Sequence, residues 1–131
     1  RINAQIKYRE RWRPFCPSML DRVAEDLLQT DHPAPYMTFT FDVNPAWNDR
    51  IPEVVHEDGT ARAQVVTHET NPRYYELIEH LEKLRGSAVV LNTSLNRRGE
   101  PMICSPTDAL NMFYGCDLEY LMLEDVLVTK K

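Results

Sequence analysis

The sequence predicts an α/β fold, a single domain of twisted mixed sheet with packed helices, and three features carry that expectation. Ala88-Val89-Val90-Leu91 is a run of four apolar residues, two of them β-branched, which reads as a buried strand. Residues 36–43 and 60–69 alternate apolar with polar side chains at the two-residue period of a strand. Stretches with helical spacing follow cap-like pairs, Asn71-Pro72 and Ser105-Pro106. A chain of 131 residues fits one domain, 1–131, with one core.

Taken in order, residues 1–6 read as the last turn of a helix. Lys7 to Phe15 reads as extended, with Lys7, Arg9, Arg11 and Arg13 on one side and Tyr8, Glu10 and Trp12 on the other. Four cations on one face suit an anion site, because Arg binds phosphate bidentately. They equally suit a solvated edge strand that resists aggregation. Ser18-Met19-Leu20-Asp21 resembles a capping box, followed by Leu20, Val23, Ala24, Leu27 and Leu28 at helical spacing. His32-Pro33-Ala34-Pro35 ends that helix. Tyr36 to Val43 is then expected as a strand with Met37, Phe39, Phe41 and Val43 inward. Residues 44–56 are irregular, and two readings stand: a lid, or an insertion packed by Trp47.

Asp58-Gly59 marks a turn into a strand over 60–69, with Ala61, Ala63, Val65 and Thr67 on one side. A helix follows Asn71-Pro72, striped by Tyr74, Leu77, Ile78, Leu81 and Leu84 and closed by Arg85-Gly86. The Ala88 strand ends in Asn92-Thr93-Ser94-Leu95-Asn96, then Arg97-Arg98. Donors and cations at a strand's carboxyl end suit an anionic ligand, and the same residues also suit an ordinary turn. Residues 101–104 read as a short strand or a loop. Ser105 opens the last helix, which buries Leu110 and Phe113 and stops at Gly115; residues 119–128 supply one or two closing strands.

Composition narrows the function. Hydrophobic residues make up 43% and charged residues 27%, as in ordinary globular proteins. A net charge of −5 and a pI near 5.3 argue against whole-surface attraction to nucleic acid. No apolar run reaches membrane-spanning length. The start carries neither Met nor a signal-like apolar segment, so the chain reads as a piece of something longer. Three widely spaced cysteines without a Cys-x-x-Cys pair point to reduced thiols and a cytoplasmic location. The four histidines lack metal-ligand spacing, and no residue is assigned to a metal. Four glycines, none in a G-x-G pair, leave no Gly-rich phosphate loop. What remains is a set of fixed cations and polar donors, which suits phosphoryl or adenylyl transfer by positioning and charge stabilisation.

Lys7-Tyr8-Arg9 with Arg13-Pro14-Phe15, then Asp58-Gly59-Thr60-Ala61-Arg62, Thr70-Asn71-Pro72-Arg73-Tyr74-Tyr75, Leu91-Asn92-Thr93-Ser94-Leu95-Asn96 and Gly99-Glu100-Pro101 resemble the C-terminal domain of O-carbamoyltransferases. These are the enzymes of the nodulation-factor and antibiotic-tailoring type, and the resemblance runs in order through essentially the whole chain. The Lys-x-Arg and Ser-x-Asn pairs are similar to those of the threonylcarbamoyl-adenylate synthase (YrdC-like) fold. The resemblance implies that this domain forms carbamoyl-adenylate from ATP, with Mg2+, and carbamoyl phosphate. A covalently linked N-terminal domain of the ASKHA type, absent here, would hold a metal and pass the carbamoyl group to a hydroxyl of a small molecule or glycan. Carried over by motif, Lys7, Arg13 and Ser94 are the catalytic candidates, and Arg9, Arg62, Asn92, Thr93, Asn96 and Arg97 bind substrate or nucleotide. Lys7, Arg13, Arg62 and Ser94 are expected to converge on one concave patch. The alternative is a non-catalytic nucleotide- or RNA-binding module of the same fold, against which the acidic charge counts where RNA is the ligand.

Overall fold

The computed structural model describes residues 1–130, and the α/β class read from the sequence holds. The chain groups into two compact units, residues 14–93 and residues 1–13 with 94–131.

In the 14–93 unit, β1 (Cys16–Leu20) is the middle strand of a three-stranded mixed sheet. It runs parallel to β4 (Gln64–Val66) and antiparallel to β5 (Val89–Asn92), with Met19 opposite both Val65 and Val89. The expected capping box at Ser18 is therefore a strand, and helix α1 (Asp21–Leu28) starts three residues later. Five consecutive buried positions explain the difference: a strand covered on both faces shows no alternation from which to read it. Pro17 sits in this middle strand without losing a ladder bond. The Leu20 N–H donates to Ala88 O on the β5 side, so by alternation position 17 faces β4, whose pairing begins only at Ser18.

Two further expectations change. The strand expected over Tyr36–Val43 contracts to β2 (Phe41–Asp42), so the Met37 region does not join the main sheet. Met37 takes a left-handed backbone (φ 54°), which interrupts an extended run. The single strand expected over 60–69 is broken at Arg62-Ala63. Its first half, β3 (Thr60–Ala61), pairs with β2, and its second half is β4. Ala61 and Ala63 are both buried, but past the break the buried side passes from Val65, which is half-buried, to Val66. Residues 44–56 are pinned down: Trp47 is buried and donates from Nε1 to Asp26 Oδ2 at 2.7 Å. That geometry is of a packed insertion.

Helix α2 (Pro72–Arg85) begins where expected, with the Asn71 side chain accepting from Tyr74 N–H. It ends at Gly86 in the left-handed conformation, which glycine adopts without steric cost. Ile78 joins Leu20, Val66 and Ala88 in the core, whereas Leu77 and Leu84, expected on the buried stripe, are 60% and 82% exposed.

The second unit holds helix α3 (Pro106–Tyr114) and the hairpin β6 (Tyr120–Leu123) with β7 (Val126–Thr129). Ala109, Phe113 and Leu121 form its core, with Leu95, Ile103 and Val128 packed around them. Residues Ile2–Ile6 make one π-helical turn closed by Lys7 N–H to Ile2 O at 2.9 Å. Lys7 to Arg13 is a folded loop, not an alternating strand. Tyr8 is left-handed (φ 51°), Arg9 N–H returns to Asn3 O and Arg13 N–H to Glu10 O. The four cations consequently do not share a face: Lys7 is buried, and Arg11 and Arg13 are exposed. Among the described residues no helix is long and apolar enough to cross a membrane.

Candidate functional site

The backbone turns at left-handed Tyr8, and Lys7 is buried, Arg9 half-buried, and Arg11 and Arg13 exposed. Lys7 is 4% exposed. Its ammonium donates to Ser94 O, to Ser94 Oγ at 3.2 Å and to Asn96 Oδ1 at 2.7 Å. An ammonium has three N–H donors, and all three have acceptors within the chain. Ser94 Oγ in turn donates to Asn96 Oδ1 at 2.6 Å, and Asn96 Nδ2 donates to Glu100 O at 2.8 Å. Two short motifs, 87 residues apart, thus meet through one lysine. Burial pushes the Lys7 ammonium below its ordinary 10.5, and the guanidiniums of Arg9 and Arg13 push it further down.

The arginines of this unit differ in how far they are committed. Arg97 pairs with Glu100 at 2.6 Å and donates to Gly115 O at 3.3 Å. Arg98 pairs with Glu10 at 3.2 Å, and its N–H donates to Lys7 O. Arg13 lies 3.9 Å from Glu10 with its side chain more than half exposed, a loose contact that an incoming anion can displace. Arg9 donates from Nε to Asn3 Oδ1 at 2.7 Å.

The remaining sequence-predicted residues belong to the 14–93 unit. Asn92 spends both N–H groups of its amide across the sheet, on Ser18 Oγ and Gln64 Oε1, each at 2.9 Å. Ser18 Oγ donates to the same Gln64 oxygen at 2.8 Å, and Gln64 Nε2 donates to Pro35 O. Asn92 is therefore a cross-strand partner before it is a donor to any ligand. Thr93 follows β5 directly and is half-buried. Arg62, exposed at the break between β3 and β4, directs Nε and one terminal nitrogen at Cys16 Sγ, at 3.3 and 3.2 Å. Among the described residues no group of three or more His, Cys, Asp or Glu is placed to hold a metal ion.

Sequence reasoning missed two groups. Asn3 is buried and bonded to the arginine loop, and the Ser18–Gln64 pair joins three strands. Neither carries a local signal, since a lone Asn or Ser reads the same at a surface turn as in a core.

The chain matches the family described as Carbamoyltransferase C-terminus over residues 1–130. Nodulation protein NolO of Bradyrhizobium diazoefficiens is 37% identical over 134 residues, covering 100% of this chain and 24% of its own length. Nodulation protein U of Rhizobium tropici is 35% identical, covering 97% of this chain and 22% of its own. An uncharacterized protein of Synechocystis is 38% identical over 98% of this chain and 24% of itself. The chain thus spans about a quarter of the length of these curated relatives. With a match along essentially its whole length, the chain belongs to the carbamoyltransferase C-terminus family.

Proposed function

We propose that this chain is the adenylate-forming domain of an O-carbamoyltransferase, with a fold similar to the YrdC-like synthases. It takes ATP, with Mg2+ as part of that substrate, and carbamoyl phosphate. The transfer to a hydroxyl occurs elsewhere in the full-length protein, in the cytoplasm. The single observation that carries this reading is the junction of Lys7 with Ser94 and Asn96, which brings the Lys-x-Arg and Ser-x-Asn pairs to hydrogen-bond distance.

The chemistry has a stated balance. Water releases carbamate and inorganic phosphate from carbamoyl phosphate, a carbamate oxygen then bonds to the α-phosphorus of ATP, and pyrophosphate leaves. Both reactants are polyanions, and charge accumulates further on the leaving pyrophosphate, so fixed cations lower the barrier most where water is excluded. Arg13, exposed and only loosely paired with Glu10, is available to meet a phosphate. Lys7 acts from beneath, holding Ser94 and Asn96 in place while adding its own charge. Ser94 Oγ is exposed enough to exchange its bond to Asn96 for one to a phosphate or carbamoyl oxygen.

Calorimetry of the chain with carbamoyl phosphate and with ATP tests the reading, alongside pyrophosphate release when both are present. Arg13→Ala is expected to weaken carbamoyl phosphate binding about tenfold, one charge-assisted bond's worth, with an unchanged urea midpoint. Arg62→Ala, in the other unit, tests its own assignment in the same way. Wild-type affinity in Arg13→Ala removes the phosphate-site assignment.

A further inference from the structure

One buried amide organises the whole arginine loop. Asn3 lies on the single π-helical turn and is 7% exposed. Its Oδ1 accepts from Arg9 Nε at 2.7 Å, and its Nδ2 donates to Arg13 O at 2.7 Å and to Arg11 O at 3.2 Å. Its backbone oxygen accepts the Arg9 N–H at 2.9 Å. Four bonds from one residue therefore reach three positions of a loop that lacks regular secondary structure. That loop starts at Lys7, reverses at the left-handed Tyr8 and is closed by Arg13 N–H to Glu10 O at 3.3 Å. Asn3 thereby ties the guanidinium of Arg9 to the backbone of Arg13. The amide does so with both its acceptor and its donor ends.

We infer that Asn3 is a positioning residue for the anion site: it sets the spacing of Arg9 and Arg13 around Lys7, and so the cation geometry that receives the phosphates. The inference rests on the proposed reading of the Lys7–Ser94–Asn96 cluster. Asn3 itself touches no reacting atom in this scheme. Aspartate at this position keeps the shape, but its oxygens face the carbonyls of Arg11 and Arg13, so asparagine alone among isosteres satisfies both ends. Burial depresses the Lys7 proton affinity most, and Arg9 and Arg13 add to it, so a change in where the guanidiniums stand registers at that lysine. Glu10, bonded to Arg98 and near Arg13, is the acid in the same loop.

The test reads Lys7 directly by NMR titration of its side chain in the chain without ligand, together with pyrophosphate binding by calorimetry. In Asn3→Ala the Lys7 titration is expected to move up toward the ordinary lysine value, and pyrophosphate affinity to fall about tenfold. Arg13→Gln should raise the Lys7 titration in the wild type and add much less in the Asn3→Ala background, since the two act through one geometry. Should Asn3→Ala fail to fold, Asn3→Ser carries the same expectation with a smaller cavity. An unmoved Lys7 titration, or an equal effect of Arg13→Gln in both backgrounds, reduces Asn3 to a structural residue and overturns the inference. If Lys7 moves as expected while the wild type binds no pyrophosphate, the positioning stands and the anion-site reading falls.

Discussion

Replacing Lys7 by methionine keeps an aliphatic stem of similar length and removes the ammonium. The structure allows the cost to be worked bond by bond. Three donated bonds are lost, to Ser94 O, Ser94 Oγ and Asn96 Oδ1. At about 1 kcal/mol net each they sum to roughly 3 kcal/mol. None of the two stronger acceptors is orphaned, because Ser94 O still accepts the Asn96 N–H and Asn96 Oδ1 still accepts from Ser94 Oγ. Removing a charge that burial, and after it two arginines, disfavours offsets part of that loss. The expected net loss is therefore about 2 kcal/mol, seen as a lower urea midpoint at unchanged slope. The pH dependence follows from the lowered Lys7 value. Between that value and 10.5 the unfolded chain holds the Lys7 proton and the folded chain has released it. The unfolded state then binds more protons, so stability from this group rises with pH across that window; below it both states are protonated and nothing changes. The difference between wild type and Lys7→Met should accordingly widen as pH climbs toward 10.5. A variant as stable as wild type, with a constant difference, would refute the claim that Lys7 ties the two motifs together.

Two other outcomes check the scaffold. Ser18→Ala removes the hydroxyl that links Gln64 to Asn92 but leaves their mutual bond, so a loss of about 1–2 kcal/mol is expected in urea unfolding; no loss means the cross-strand network is idle. Ser105→Ala deletes the α3 cap, which accepts from Asp108 N–H at 3.1 Å, and should cost about 1 kcal/mol. The Ser105 hydroxyl also leads the groups that hold the Asp108 carboxyl below its ordinary 3.8, so that share of the stability is present above 3.8 and disappears as pH falls through the lowered value. Urea midpoints of the variant and wild type at neutral and at low pH should draw closer as the pH drops.

Much of the architecture was legible because it is written locally. Helices α2 and α3 announce themselves through Asn71-Pro72 and Ser105-Pro106 at one end and Gly86 and Gly115 at the other, and each cap works through atoms within four residues. The apolar run of β5 and the closing hairpin were legible as strands, but their burial was not: β5, expected buried, is half-buried throughout, and the hairpin is mostly exposed. Motif resemblance led to the expectation that Lys7, Arg13, Arg62 and Ser94 converge on one patch; the structure bonds Lys7 to Ser94 and Asn96, while Arg62 belongs to the other unit.

Other features depend on partners distant in sequence. β1 contains a proline and a capping-box pattern and becomes the central strand only because β4 and β5 cover its two edges. The 60–69 segment keeps its alternation on paper yet divides between two sheets, because its halves find different neighbours. Leu77 and Leu84 have helical spacing, but the core reaches only the Ile78 side of α2. The alternation of Lys7, Arg9, Arg11 and Arg13 promised one cationic face. A left-handed Tyr8 and the amide of Asn3 fold that segment into a loop instead, burying the lysine and leaving Arg11 and Arg13 in solvent. Local chemistry determined where α2 and α3 begin and end. Which polar groups were buried, and against what, was decided by tertiary contacts, because a buried donor must find its acceptor wherever the fold supplies one.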